Sequence, residues 1–132
     1  MKSSDELSIG ELARRFGLAT HVLRHWESVG LLAPARDAAG QRRYSPADLD
    51  RVAMILMGKE VGFGLRDLTV LVTAPDPMRH SDLLRQRIAE LDRRIAAALS
   101  AKAFLEHALH CPRRFADCPH ATERIAARIP PA

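Results

Sequence analysis

Apolar positions divide the chain into several short elements followed by one long one. Ile9, Leu12, Ala13 and Phe16 recur at helical spacing and predict a first helix. Ser8 and Glu11, in the form S-x-x-E, predict a capping box at its start, and Gly17 predicts its stop. Val22, Leu23 and Trp26 form the apolar face of a second short helix from about Thr20 to Val29, ended by Gly30. Two short helices joined by Gly17-Leu18-Ala19 make a helix-turn-helix pattern. Between Ala33 and Tyr44 the periodicity vanishes, and Gly40 between two extended stretches predicts a small hairpin. Ser45-Pro46-Ala47-Asp48 opens a third helix, with Leu49, Val52, Ala53, Leu56 and Met57 as its expected buried stripe. Gly62-Phe63-Gly64 breaks it, Leu65 to Val72 forms a fourth helix, and Ala74-Pro75-Asp76-Pro77 is a rigid break.

The long element is predicted from about Ser81 to Leu109, within a stretch free of Gly and Pro. Leu84, Ile88, Leu91, Ile95, Ala98, Lys102, Leu105 and Leu109 alternate spacings of four and three, a heptad seam. At 1.5 Å per residue the helix spans roughly 43 Å. An N-terminal domain of about 70 residues cannot cover that stripe, and no second long helix is predicted to pair with it. The expected partner is a second copy, antiparallel or parallel. Three segments follow: 1–77, 78–110 for dimerisation, and a short tail over 111–132.

Length and composition narrow the function. A chain of 132 residues suits one domain, or a small domain with an arm, and leaves no room for a large catalytic fold. The net charge of +4 favours an acidic partner, nucleic acid first. Aromatic residues at 5% argue against a base-stacking binder of single strands. No apolar run approaches the roughly 18 residues of a membrane span, and the polar, acidic N-terminus lacks a secretory h-region. The expectation is a cytoplasmic protein without a membrane partner. No catalytic constellation, Walker loop or dinucleotide fingerprint is present, so no enzyme is expected.

The order of elements, and the residues within them, resemble the MerR family of bacterial transcription regulators. Ser8-Ile9-Gly10-Glu11-Leu12-Ala13 looks like the family's opening helix, and Leu23-Arg24-His25-Trp26-Glu27-Ser28-Val29-Gly30-Leu31-Leu32 resembles its recognition segment. Gly40-Gln41-Arg42-Arg43-Tyr44-Ser45 resembles its wing, while Asp48-Leu49 and Gly62-Phe63 recur at the family's spacing. The likeness covers about residues 8–110. Ala19 and Gly64 stand where the family has capping Ser or Thr, and Thr20 is expected to cap one residue later. His25 and Gln41 stand where aromatics are common in the family. The implied fold is mainly α: a winged helix-turn-helix, a short helix pair and a long antiparallel coiled-coil dimerisation helix. The implied function is a homodimer on a promoter operator in double-stranded DNA. There it distorts a spacer so that RNA polymerase engages both promoter elements.

On that reading, residues near the start of the second helix reach the major groove. Thr20 and His21 are placed for base or backbone contact, and Arg24 suits phosphate or guanine. Arg15, with Arg14, stands equally well against backbone or water. Trp26 is expected in the core. In the wing, Arg42 and Arg43 alternate sides, and Arg42 is the expected phosphate contact, with Arg36 secondary. Tyr44 either donates its hydroxyl to phosphate or packs under the wing. A different class, a non-regulatory architectural or protein-interaction module, would use the same parts.

The tail adds a second question. Cys111-Pro112 and Asp117-Cys118-Pro119 look like the cysteine loop of the family's copper-responsive branch, one residue shorter. Two thiolates suffice for a soft monovalent ion such as Cu(I), and His107, His110 and His120 offer the further donors that Zn needs. Arg113 and Arg114 suit a thiolate pair better than a dication. Structural thiols, a soft metal ion and a reversible Cys111–Cys118 disulfide stand as three readings.

Charge placement changes the meaning of the basic pI. Residues 1–77 carry ten basic and ten acidic side chains, while residues 78–132 carry ten and six. The excess lies outside the expected reading head. Within 8–46, six arginines face three acids, and their placement is the better pointer to DNA.

Overall fold

The computed structural model describes residues 6–132. Six α-helices form: α1 (Ile9–Phe16), α2 (Thr20–Ser28), α3 (Pro46–Glu60), α4 (Leu65–Thr73), α5 (Ser81–His110) and α6 (Pro119–Ala127). A two-stranded antiparallel hairpin, β1 (Ala35–Arg36) and β2 (Arg42–Arg43), separates α2 from α3. The chain divides into two compact units, one ending at Arg87 and the other running from Ile88 to Ala132.

Local chemistry explains the helix ends of the N-terminal unit. Ser8 Oγ accepts from the Glu11 backbone N–H, and Glu11 Oε1 accepts from the Ser8 N–H, both at 3.2 Å, as a capping box requires. These bonds hold the Glu11 carboxyl below its ordinary value, the Ser8 hydroxyl first and its backbone N–H next. Gly17 closes α1 in the left-handed conformation at φ 67°, where a side chain would be strained. That turn lets the Leu18 N–H reach the Ala13 carbonyl at 2.8 Å and aims the chain into α2. The expected capping by Thr20 does not occur. Ala19 holds the N-cap position without a side-chain bond, and Thr20 is already helical.

The apolar faces of α1 to α4 close one cluster. Leu12, Ala13, Leu23, Trp26, Leu31, Leu32, Tyr44, Val52, Ile55, Leu68 and Val72 are all buried in it. On α3 the buried positions are Val52 and Ile55, while Met57 is 64% exposed. Leu49 and Leu56 of the expected stripe pack partly buried against that cluster, Ile55 joins it and Met57 stands in water. Leu7 pairs with Tyr44 through reciprocal backbone bonds of 2.8 Å and adds a short bridge to the hairpin. Arg87 donates from Nε to the Val61 carbonyl at 2.6 Å, satisfying an acceptor just past the end of α3.

The helix α5, most of which belongs to the C-terminal unit, has no buried residue. Ile88, Ile95, Leu105 and Leu109, the seam positions, stand exposed, as does Leu99 beside them. A short helix, α6, follows the cysteine loop. It packs back through buried Cys118 and Ala121, and the Arg124 guanidinium lies 4.6 Å over the Phe104 ring. Among the described residues no helix is long and apolar enough to cross a membrane.

Candidate nucleic-acid interface and cysteine cluster

The packing of α2 decides which of its residues meet solvent. Leu23 and Trp26 face inward, so His21, Arg24 and His25 stand exposed and Thr20 half-exposed on the opposite side. Arg24 has no ion-pair partner among the described residues, and neither does the exposed Arg15. This face is the one the sequence assigned to DNA.

The wing is held by carboxylates rather than left free. The register pairs Arg36 with Arg42 across the two strands. Like charges directly opposite repel. Glu27, in the last turn of α2, resolves that conflict by accepting from both: Arg36 Nη2 at 3.1 Å and Arg42 Nε. Arg36 also donates to the Gly40 carbonyl at 2.9 Å across the turn. Glu27 therefore ties the wing to the exposed helix. The single bond at Nε leaves the other donors of the Arg42 guanidinium for a phosphate. Arg43 turns to a different acid, Asp37, at 3.1 Å, and its side chain is 12% exposed.

Asp37 also organises the tip. Its Oδ1 accepts from the Ala39 and Gln41 N–H groups at 2.9 and 3.0 Å, and Gly40 takes φ 80°. The Gln41 N–H, then Arg43 and the Ala39 N–H, hold the Asp37 carboxyl below its ordinary value. Tyr44 is a correction to the DNA-facing set. Its side chain is fully buried under the wing, its hydroxyl is without a hydrogen-bond partner, and burial pushes the phenol up. Packing, not phosphate, takes this residue. Glu27 was not predicted as a site residue; its sign, one helix away from an arginine-rich hairpin, was the available signal.

A second cluster lies at the end of α5. His107 Nε2 is 3.3 Å from Cys118 Sγ, and the His107 and His120 rings lie 4.3 Å apart. Donor atoms of His107, Cys118 and His120 all fall within 4.8 Å of one another. Cys111 lines a cavity of about 40 Å³ together with His107, Cys118 and Arg113. Neither cysteine is in a disulfide. The Ala121 N–H, then that of His120, the Cys111 thiol and Arg113 hold Cys118 below the ordinary thiol range, against the opposing effect of burial. His110 is exposed and outside the cluster. Such a mixed sulfur and imidazole set admits a soft or borderline metal ion.

Helix-turn-helix, hairpin wing and the helix pair α3–α4 together define a winged helix-turn-helix module of the DNA-reading class. A family model described as MerR HTH family regulatory protein matches residues 7–74, and one described as MerR, DNA binding, matches 49–108. The HTH-type transcriptional activator TipA of Streptomyces coelicolor is 41% identical over 101 residues, covering 71% of this chain and 40% of TipA. The HTH-type transcriptional regulator CueR of Salmonella typhimurium is 32% identical over 121 residues, covering 86% of this chain and 88% of CueR. The crystal structure of MtaN, the N-terminus of the Bacillus subtilis multidrug transporter activator, matches with a TM-score of 0.65 at 28% identity, covering 79% of this chain and 98% of that one. The chain belongs to the MerR family of helix-turn-helix regulators. It spans less than half the length of TipA and most of CueR.

Proposed function

We propose that this protein is a homodimeric transcriptional regulator that binds a promoter operator in double-stranded DNA and answers a signal received by its C-terminal cysteine segment. The observation that carries the reading is the pairing of an exposed α2 face, Thr20, His21 and Arg24, with a wing that Glu27 fastens to the same helix. The helix enters the major groove and the wing lies on the adjacent backbone through Arg42, with Arg36 beside it. Arg43 supports the wing from within, through Asp37. The exposed seam of α5, including Ile88, Leu91, Ile95, Leu105 and Leu109, is where a second copy docks, with Leu84 continuing it. Two reading heads fixed by one coiled coil distort the DNA between their half-sites, which brings RNA polymerase into productive register. The metal reading of Cys111 and Cys118 is favoured over a purely structural role by the two imidazoles gathered at Cys118.

The test is footprinting on the promoter nearest the gene, with a salt series. A protected spacer and a steep salt dependence are expected. Arg24→Ala is expected to weaken binding by about 1–3 kcal/mol, and Arg42→Ala to reduce the salt slope by about one. Equal affinity for random and promoter duplexes would leave only an architectural module.

A further inference from the structure

We infer that Arg87 is the positioning residue that fastens the end of α3 to the root of α5, and that spacer distortion, rather than operator affinity, depends on it. The inference rests on the reading of the protein as a regulator that distorts promoter DNA, and it names a contact within the chain that carries the distortion.

The helix α3 ends in a turn built around Gly62. The Phe63 N–H donates to the Gly58 carbonyl and the Gly62 N–H to the Lys59 carbonyl, both at 3.0 Å, and Gly62 takes φ 91°. This Schellman arrangement satisfies the Gly58 and Lys59 carbonyls and leaves that of Val61, the C-cap residue, to another donor. Arg87, on α5 and 26 residues away, supplies it from Nε at 2.6 Å. Its guanidinium lies against the bare face of Gly62, where a Cβ would stand 2.3 Å from Nη2 and 2.6 Å from Cζ. Glycine is therefore required twice, by the left-handed backbone and by the arginine. The cation also sits at the carbonyl end of α3, where the helix dipole favours it.

The same turn is tied to the core of the head. Phe63 packs against the buried cluster, and Leu68 of α4 closes over Gly58 so tightly that a Cβ there would stand 2.1 Å from its Cδ2. Movement of the turn is therefore movement of the helix pair α3–α4. The chain enters α5 through the short helical turn Pro77–His80, and α5 begins at Ser81. A single attachment at that end would be a pivot. Arg87 stands about 9 Å further along the helix, and a second attachment there fixes a direction. It is the last residue of the N-terminal unit, and the exposed Ile88 follows it. Arg87 lies outside α2 and the wing, so cutting this tie removes none of the proposed DNA contacts.

The full chain is bound to a duplex of the promoter nearest the gene, with 2-aminopurine at the centre of the spacer. Anisotropy reads affinity, and the 2-aminopurine signal reads unstacking. Arg87→Met keeps the stem and removes the donor and the charge. It is expected to bind within about 2-fold of the unaltered protein while the 2-aminopurine rise falls about 10-fold. Arg87→Lys keeps a cation and a donor and should recover most of that rise. Gly62→Asn keeps the left-handed turn, which Asn tolerates, and puts a Cβ in the place of the guanidinium. It should match Arg87→Met although it removes no donor. Without DNA, hydrogen exchange at the Gly62 and Phe63 amides should quicken by about 10-fold or more in Arg87→Met. Far-UV circular dichroism and the Trp26 melting transition check that each variant folds, and Gly62→Asn carries the test should Arg87→Met fail. Distortion unchanged in Arg87→Met, affinity and distortion lost in equal measure, or a Lys variant as poor as the Met one overturns the inference. Unchanged exchange at Gly62 and Phe63 overturns it whatever the DNA does. Exchange that quickens as expected, in a protein whose unaltered form leaves the spacer undistorted, overturns the regulator reading and leaves the fastening standing.

Discussion

In the N-terminal unit Leu12, Leu23, Trp26 and Ile55 are withdrawn from water together, whereas in the C-terminal unit Ile88, Ile95, Leu105 and Leu109 are 57–79% exposed along one helix. Both sets are large, apolar and helical. The difference is that α1 to α4 supply each other's partners, while the apolar positions of α5 are left uncovered. A run of apolar side chains at heptad spacing costs solubility unless something covers it, and the second copy proposed above would cover this one. The N-terminal unit specifies a core. Mutations of equal chemistry should therefore report different quantities in the two regions.

The largest effect is expected at the seam. Replacing Ile88 and Ile95 together by Asp removes apolar burial and places carboxylates at contact positions on both copies. Each large side chain contributes about 1.5–3 kcal/mol when buried, so dimer dissociation should become easier by more than 100-fold, taking about 1.4 kcal/mol per decade. Sedimentation equilibrium reads the change. The thermal transition of the N-terminal unit should stay in place, since neither residue belongs to it. A variant that remains dimeric would move the interface off the seam.

The next effect sharpens the contrast through stability. Leu68 on α4 is 1% exposed, and Leu68→Ala should cost about 2–5 kcal/mol of unfolding free energy. Leu99 is equally large but exposed and off the seam, so Leu99→Ala should stay within about 0.5 kcal/mol. Trp26 is the single tryptophan and lies in the N-terminal core, so its fluorescence in a urea titration follows that unit. A matching loss from Leu99→Ala would mean that the seam is drawn one position out.

The same contrast explains what was legible beforehand. The helix ends could be read because capping is local: Ser8 with Glu11, Ser45 with Asp48, and Gly17 all act within three or four residues. The heptad spacing was legible because it is periodic, and Ile88, Ile95, Leu105 and Leu109 along it are exposed. Contacts set by distant partners were not. Met57 and Ile55 both fit a helical stripe, and only the packed cluster decides between them. Tyr44 could face phosphate or core until Leu7 and the hairpin closed over it. Glu27 gains its role from two arginines 9 and 15 residues away, which no spacing rule links to it. The helix α6 was missed because its start is hidden in a loop dense with Pro and Cys, and its packing depends on Cys118 and Ala121 meeting α5.

A smaller effect separates the wing from the core beneath it. Glu27→Gln removes the carboxylate between Arg36 and Arg42 and leaves two guanidinium groups opposed across the strands. Both pairs are partly solvated, so global stability should change by less than about 1 kcal/mol. The local result should be clearer: faster hydrogen exchange at the hairpin amides, and weaker promoter binding despite one more net positive charge. A gain in affinity would mean that Glu27 repels phosphate more than it positions the wing.

The smallest effect is confined to the tip of that wing and depends on pH. Asp37 is held below its ordinary value near 3.8 by the Gln41 N–H, Arg43 and the Ala39 N–H. A carboxyl whose folded value is depressed contributes stability that is fully present above the unfolded value and lost as pH falls through the folded one. The tip should therefore be unchanged from neutral pH down to about pH 5 and loosen only below 3.8. Amide shifts of Ala39 and Gln41 followed by NMR should show that acid transition, and Asp37→Asn should abolish it. The proposed seam is mostly Ile and Leu and holds no carboxyl, so its dimer contacts should be indifferent to Asp37. If Asp37→Asn shifted the dimer equilibrium, the two regions would be coupled through the wing, and the division between a self-covered head and an interface-seeking helix would have to be redrawn.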